Sequence, residues 1–229
     1  MTLNREVYDK DPRDNKLLNH GVAKVTTGQT EHELDTLRFE ISRFVCEGQY
    51  ADGLERILSQ YLANLDQSEQ PGVWVSGFFG SGNSHLVKVL QHLWLDYQFP
   101  DGARARGLAK LPRHIKDLLT ELSNQAKKYG GLHAAAGSLG DWTGDSVRLG
   151  LLSIIFKSVG LPPSYSRASF MLWLRHEGLE DAVKEHVQRA GRDFNHELAN
   201  LYVSDAIPSA LLAARPGFAD KPSDARLLV

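Results

Sequence analysis

The chain has 229 residues, of which 42% are hydrophobic and 24% are charged, and its formal net charge at pH 7 is −2. This composition is typical of a globular protein with one large domain or two small ones, and the near-neutral charge excludes a whole-chain attraction to nucleic acid or to an anionic membrane. The single cysteine, Cys46, excludes an internal disulfide and a cysteine metal cluster. We expect it to be a small buried residue.

The sequence contains no apolar run near the roughly 20 residues that a membrane span requires. Its first residues are polar and charged, unlike a signal peptide. We therefore expect a cytoplasmic protein with no membrane partner.

Residues 1–66 predict a helical amino-terminal segment. Residues 22–25 have the composition of a short strand, and Thr30 followed by Glu33 forms a capping box for the helix after it. Gly48 is expected to end that helix, and a second helix with one apolar face follows.

The most informative stretch of the sequence is rich in glycine. Gly77, Gly82 and Ser84 stand at the spacing of the phosphate-binding loop G-x-x-x-x-G-K-[ST]. Asn83 occupies the position of its lysine. The apolar run at 73–76 predicts a buried strand before the loop, and a helical stripe of apolar residues predicts a helix after it.

A strand, a glycine-rich turn and a helix in this order form an anion-binding site. The glycines allow a tight turn, successive N–H groups of the turn point inward, and the start of the helix adds free donors. We predict that the loop binds the phosphates of ATP and that the Ser84 hydroxyl contacts Mg²⁺. The predicted site has nine residues: Gly77, Phe78, Phe79, Gly80, Ser81, Gly82, Asn83, Ser84 and His85.

Asn83 changes the chemistry of this predicted site. Its amide is neutral and short, so it cannot bring a positive charge to the β and γ phosphate oxygens as lysine does. Losing a charge-assisted contact costs roughly 1.5–3 kcal/mol of binding, and hydrolysis suffers more where the charge also stabilises the transition state. Lys88 lies about a turn further along the helix and is not expected to substitute. The alternative interpretation is a glycine-rich turn that binds no ligand.

A working ATPase of this kind also needs an acidic residue at the end of a second buried strand. Residues 93–96 end in aspartate but belong to the helix after the loop, and Lys157 follows the apolar run at 151–156. Asp141 is the remaining candidate. No arginine finger can be assigned, so hydrolysis and its catalytic residues stay open.

A basic segment follows the loop helix. Its cations suggest contact with a DNA or RNA backbone, but no aromatic residues interleave them, which favours the alternative of a solvated helix. The residues concerned are Arg104, Arg106, Lys110, Arg113 and Lys116. Apolar residues at helical spacing predict a helix through residues 115–126.

The second half of the chain begins with a small apolar stretch. Residues 129–139 are predicted to form a central strand beside the loop strand, with His133 as an interior residue and not a ligand. A strongly apolar helix is predicted over 147–159. Four more helical segments are predicted after it, at 170–176, 180–190, 194–203 and 205–214.

Together these elements predict an α/β protein with a P-loop NTPase-like partial parallel sheet flanked by helices. Three parts are predicted: a helical segment at 1–66, the α/β core at 67–160 and an α-helical segment at 161–229. Residues 225–229 are apolar with no helix stop, and we interpret them as the truncated start of an element.

Three stretches of the sequence, residues 72–86, 130–137 and 151–162, resemble the large P-loop ATPases of BREX/Pgl phage-defence systems, the BrxC/PglY group. The chain matches only the amino-terminal portion of those much longer proteins. The resemblance implies an ATP-dependent component of a bacterial complex that blocks phage DNA, with other defence subunits as partners. Members carry lysine where this chain has Asn83, so the resemblance implies impaired or lost hydrolysis.

Our first hypothesis is therefore an ATP-binding segment of a phage-defence ATPase. The second is a non-catalytic scaffold that works through partners of the same complex. The third is a DNA-contacting module that acts through the basic segment. The sequence leaves all three open.

Overall fold

A computed structural model of the chain describes residues 30–70, 72–78, 80–139 and 146–219. Helices account for 61% of these residues. The chain divides into two compact units, Met1–Ala136 and Gly137–Val229, and each has its own hydrophobic core. None of the helices in the described ranges combines the length and the apolar character that crossing a bilayer requires.

In the described part of the first unit, the regular elements are helices. They are α1 (Glu31–Ser42), α2 (Gln49–Ala63), α3 (Asn83–Leu95), α4 (Ala105–Leu108), α5 (Arg113–Ala126) and a 3-10 helix (Lys127–Tyr129). The predicted capping box is confirmed at the start of α1, where the Thr30 hydroxyl accepts from the Glu33 N–H and the Glu33 carboxylate accepts from the Thr30 N–H. The prediction that Gly48 ends α1 is wrong. The helix ends at Ser42, and Gly48 directly precedes the first residue of α2.

The core of the first unit is formed by apolar stripes at helical spacing. In α5 the stripe consists of Ile115, Leu119 and Leu122, which are almost fully buried. They face α2, which contributes Leu54 and Leu58 to the same core. Burying each such side chain stabilises the fold by roughly 1.5–3 kcal/mol. Cys46 is also buried here, as predicted, and burial raises the pKa of its thiol.

A buried ion pair joins α1 to α3. Lys88 Nζ lies 2.5 Å from Glu40 Oε2, and the two side chains are only 10% and 3% exposed. At this distance a buried ammonium and a buried carboxylate attract each other strongly. Removing one partner of such a pair leaves an uncompensated buried charge, which typically costs about 3–5 kcal/mol. Lys88 is thus engaged inside the protein, in keeping with the expectation that it does not serve the loop.

Arg106 closes the carboxyl end of α3. Its guanidinium donates to the carbonyls of Leu93 and Trp94 at 2.7 and 2.9 Å. It also donates to the Leu119 carbonyl and the Ser123 hydroxyl of α5, each at 2.7 Å. Carbonyls at a helix end lack partners within the helix, and a cation there interacts favourably with the helix dipole. One side chain therefore joins the end of α3 to α5.

The second unit is also helical. Its described helices are α6 (Val147–Ser158), α7 (Tyr165–His176), α8 (Glu180–Arg189), α9 (Phe194–Ala199) and α10 (Ala206–Ala214). The helix predicted over 147–159 and the four that follow it are thereby confirmed, with small shifts of their ends. α8 packs against α7, α9 and α10 around a core that includes Leu174 and Val183.

Helix α6 ends at Ser158, just before a glycine and two prolines that cannot continue it. Gly160 has φ of 71°, the left-handed conformation that ends many helices. The Leu161 N–H then donates to the Phe156 carbonyl at 2.8 Å, and the Gly160 N–H donates to the Lys157 carbonyl at 3.1 Å. Two prolines follow directly and prevent the helix from continuing.

The predicted α/β fold with a parallel sheet is wrong. The described residues contain no β-sheet, and their strand pairing is limited to an isolated antiparallel bridge between Gln98 and Arg104. Residues 73–76, predicted as a buried strand, form no regular element, and Trp74 is 89% exposed. The predicted strand at 129–139 overlaps the 3-10 helix and then also runs without regular structure.

The error has a physical cause. An apolar run indicates burial, but a strand also needs hydrogen bonds to a neighbour that is distant in sequence. Local composition cannot show whether that neighbour exists, and alanine, frequent at 134–136, is a poor strand former. The predictions for residues 22–25, Phe79, Asp141 and 225–229 lie outside the described residues.

We expect Arg106→Ala to destabilise the first unit by roughly 3 kcal/mol, because several partly buried carbonyls lose a charged donor. The matched control is Arg104→Ala, since Arg104 is 57% exposed and pairs with Asp96 at 3.3 Å. That change should cost less than about 1 kcal/mol. Urea unfolding followed by circular dichroism measures both. Equal losses in the two variants would contradict the role assigned to Arg106.

We expect the first unit to lose stability as the pH falls from about 7.5 to 5.5. Burial lowers the pKa of His85 and of His92 in the folded state, whereas unfolded histidine titrates near its ordinary value of about 6.5. The unfolded chain therefore binds more protons in this window, so acidification favours unfolding.

The measurement is the urea midpoint at the two pH values for the chain and for His92→Gln. The substitution should reduce the pH-dependent loss, because one buried histidine no longer titrates. An unchanged pH dependence in His92→Gln would refute this prediction.

Candidate functional site

The glycine loop (residues 77–84) curls into a compact turn. The Ser81 N–H donates to the Phe78 carbonyl at 3.0 Å, which brings these two described residues of the loop close together. Gly80 and Gly82 have φ of 84° and 85°, in the left-handed region that residues with a side chain rarely adopt. Gly82 directly precedes the first residue of α3, so the turn leads straight into the helix.

A tyrosine from the start of α2 holds the loop in place. The Tyr50 hydroxyl donates to the Ser81 carbonyl. A methyl group on Gly82 would lie 2.8 Å from the same hydroxyl. The Tyr50 ring meets Phe44 edge to face with centroids 6.1 Å apart, and Phe44 meets His85 similarly at 5.9 Å. Aromatic contacts thus connect the loop, the segment between α1 and α2, and the first turn of α3.

The side chains of Ser81 and Asn83 lie over Gly77. The Ser81 hydroxyl donates to Asn83 Oδ1 at 3.3 Å, and both side chains stand where a Cβ on Gly77 would have to fit. The Asn83 amide therefore turns back toward the loop from the first position of α3. Part of the space beside Gly77 is filled by these two polar groups.

The amino end of α3 offers free backbone donors. The N–H groups of Gly80, Gly82 and Ser84 have no acceptor among the described residues, and no side chain caps the helix. Such groups, together with the positive end of the helix dipole, form a binding site for an anion. The Ser84 side chain is exposed in the first turn of α3. The arrangement can therefore accept phosphate oxygens, with a hydroxyl beside them.

The remaining predicted residues differ in their surroundings. Phe78 is 93% exposed, and Phe79 lies outside the described residues. His85 is half-buried, its Nε2 has no hydrogen-bond partner among the described residues, and burial lowers its pKa. Nowhere in the described ranges do three His, Cys, Asp or Glu side chains form a metal-binding group. Ligand binding by these residues stays a prediction.

The basic segment does not form one continuous cationic surface. The Arg106 guanidinium is used inside the protein, as described above. Arg104 pairs with Asp96, and Arg113 lies 3.9 Å from Asp117. Among the described residues of this segment, the exposed cations that form no ion pair are Lys110 and Lys116. DNA contact also stays a prediction, with fewer residues to support it.

His133, predicted to be an interior residue, is exposed. The prediction assumed that residues 129–139 form a central strand, and with that strand absent the surrounding core is absent too. His133 therefore gives no support to a buried catalytic site.

Sequence reasoning missed the residues that hold the loop from a distance. Tyr50 lies 31 positions before the carbonyl to which it donates, and Glu40 lies far from its partner on α3. Neither belongs to a motif with a fixed spacing. Their roles follow from helix packing, which no local pattern in the sequence shows.

Comparison with known proteins gives no family for the chain. No protein-family model matches it, and no solved structure matches it either.

We expect Gly82→Ala to destabilise the loop more than Gly80→Ala. Both changes place a side chain at positive φ, which costs about 1–2 kcal/mol. The Gly80 methyl would meet open space, whereas the Gly82 methyl would displace the Tyr50 hydroxyl from the Ser81 carbonyl.

A double-mutant cycle by urea unfolding tests this explanation. In a Tyr50→Phe background the hydroxyl is gone, so the difference between the two glycine variants should shrink toward zero. A difference that persists in that background would show that Tyr50 does not hold the loop.

Proposed function

We propose that the glycine loop binds the phosphate groups of a nucleotide, ATP with Mg²⁺, and that hydrolysis is impaired or lost. The observation that supports this most is the left-handed turn at Gly80 and Gly82, which leads directly into α3 and leaves backbone N–H groups free. An anion beside these groups would gain hydrogen bonds and the favourable field of the helix end.

The residues of the first turn define what this site can and cannot do. The exposed Ser84 hydroxyl is available to a Mg²⁺ ion that the phosphates bring with them. Asn83 places a neutral amide at the position where phosphoryl transfer is normally stabilised by a cation. Lys88 does not supply that cation, because it is paired with Glu40. Binding is therefore expected to be weaker than in a complete site, and transition-state stabilisation weaker still.

The wider proposal is that the chain is part of a BREX-type phage-defence ATPase and works with other subunits of that complex in the cytoplasm. Its support is the sequence resemblance of residues 72–86 and of two later stretches.

A second candidate function is a non-catalytic scaffold. One observation favours it: the Ser81 and Asn83 side chains bond to each other over Gly77 and fill part of the space where a ligand would enter. Under this alternative the loop is a structural turn held by Tyr50, and no nucleotide binds.

Titration with Mg-ATP distinguishes the two functions. We expect the chain to bind ATP weakly and Asn83→Lys to bind it about 10–100-fold more tightly, because a charge-assisted contact is restored. Isothermal titration calorimetry measures the affinity, and phosphate release measures turnover in the same samples.

The matched control is Asn124→Lys, which adds the same charge at an exposed position of α5. It should leave the ATP affinity unchanged. Absence of binding at millimolar ATP in both the chain and Asn83→Lys would favour the scaffold. Equal gains in the two lysine variants would show that general charge, and not the loop, attracts the nucleotide.

A further inference from the structure

The second unit contains a cavity of about 350 Å³ between α7, α8, α9 and residues 160–163. Its volume falls within the range of ligand-binding sites in proteins. The apolar part of its lining includes four buried side chains: Leu161, Met171, Phe194 and Leu198. This cavity is unrelated to the glycine loop, which belongs to the first unit.

Helix α7 contributes two cations to the lining with an apolar side chain between them. Arg167, Met171 and Arg175 follow one another at intervals of four residues and all line the cavity. Because eight residues of helix span about 12 Å, the backbone positions of Arg167 and Arg175 lie about 12 Å apart along the wall of the cavity that α7 forms.

Each arginine is oriented by an internal bond that leaves other donors unused. Arg167 donates through one terminal nitrogen to the Ala199 carbonyl at the end of α9. Arg175 donates through Nε to Glu180 Oε2 at 2.7 Å, and its terminal nitrogens have no acceptor among the described residues. A guanidinium held in this way is prepared to bind a carboxylate with little further loss of freedom.

The acidic residue in the lining is already neutralised. Glu180 receives Lys184 Nζ at 2.5 Å as well as Arg175, and these contacts hold the pKa of its carboxyl below the ordinary value. The charged lining thus consists of three cations and one carboxylate, although the whole chain has a net charge of −2. The cavity is a positively charged site with an apolar floor.

We infer that this cavity binds an acidic peptide segment of a partner protein, with two carboxylates on either side of an apolar side chain. The backbone positions of the two arginines lie about 12 Å apart on α7, which favours a ligand with two separated charges over a compact oxyanion. In an extended peptide, residues i and i+4 point to the same face about 13 Å apart, and residue i+2 lies between them. The fitting pattern is therefore acidic-x-apolar-x-acidic, with the apolar side chain over Met171.

The test is fluorescence polarisation with a labelled peptide Glu-Ser-Leu-Ser-Glu, blocked at both ends, at about 50 mM salt, where screening is weak. We expect saturable binding that weakens about tenfold in Arg167→Gln and in Arg175→Gln, since each loses one charge-assisted contact. The matched control, Arg189→Gln, removes an arginine from the same unit that pairs with Glu185 outside the cavity and should bind normally.

Changes in the peptide test the same geometry without altering the protein. Gln-Ser-Leu-Ser-Gln should not bind, and Glu-Glu-Ser-Ser-Leu, which has the same composition, should bind at least fivefold more weakly. The melting temperatures of the arginine variants show whether a loss of peptide binding is caused by unfolding. If a variant is unfolded, the changes in the peptide alone test the inference.

Three outcomes would overturn the inference. The first is that Glu-Ser-Leu-Ser-Glu does not bind at millimolar concentration. The second is that the rearranged peptide binds as tightly as Glu-Ser-Leu-Ser-Glu. The third is that inorganic phosphate or glutarate, at the same concentration as the peptide, displaces the peptide from the protein. None of these results depends on ATP binding, so the inference and the proposed function fail independently.

Discussion

The buried contact between Glu40 and Lys88 holds α3 in the position on which the rest of the first unit depends. The glycine loop is the start of this helix, and Arg106 joins its end to α5. A charge pair shielded from water has a strong preference for one arrangement, because any other leaves a buried charge without its partner. The conformation of the loop is therefore a consequence of how α1 and α3 pack.

The loop shows a competition between a ligand and the protein's own side chains. Its free N–H groups and left-handed glycines favour an anion, while the hydroxyl of Ser81 and the amide of Asn83 satisfy each other over Gly77. A neutral hydrogen bond contributes only about 1 kcal/mol net, so a phosphate with several charge-assisted bonds is able to displace it. Under the proposed function, the missing lysine is expected to lower the affinity for a nucleotide, while the left-handed glycines keep the turn that the proposal requires.

The second unit uses charge differently. Its cavity combines cations whose orientation is set by Glu180 and by the end of α9 with a floor of buried apolar side chains. Fixed cations above an apolar surface recognise a ligand by the spacing of its charges as well as by their sign. The two proposals thus concern separate units and separate chemistry: a turn proposed to bind phosphate in the first unit, and a cavity inferred to bind spaced carboxylates in the second.

Local patterns in the sequence were enough to predict the capping box at Thr30, the helices of the second unit and the helix that follows the glycine loop. Each of these depends on residues within a few positions of one another. The parallel sheet was predicted wrongly, since strand pairing depends on a distant neighbour that apolar runs at 73–76 and 129–139 cannot reveal. Only the tertiary structure decided that Tyr50 holds the loop, that Glu40 engages Lys88 and that Arg106 closes α3. Each of these contacts joins segments that are brought together by packing, so no interval along the chain encodes it.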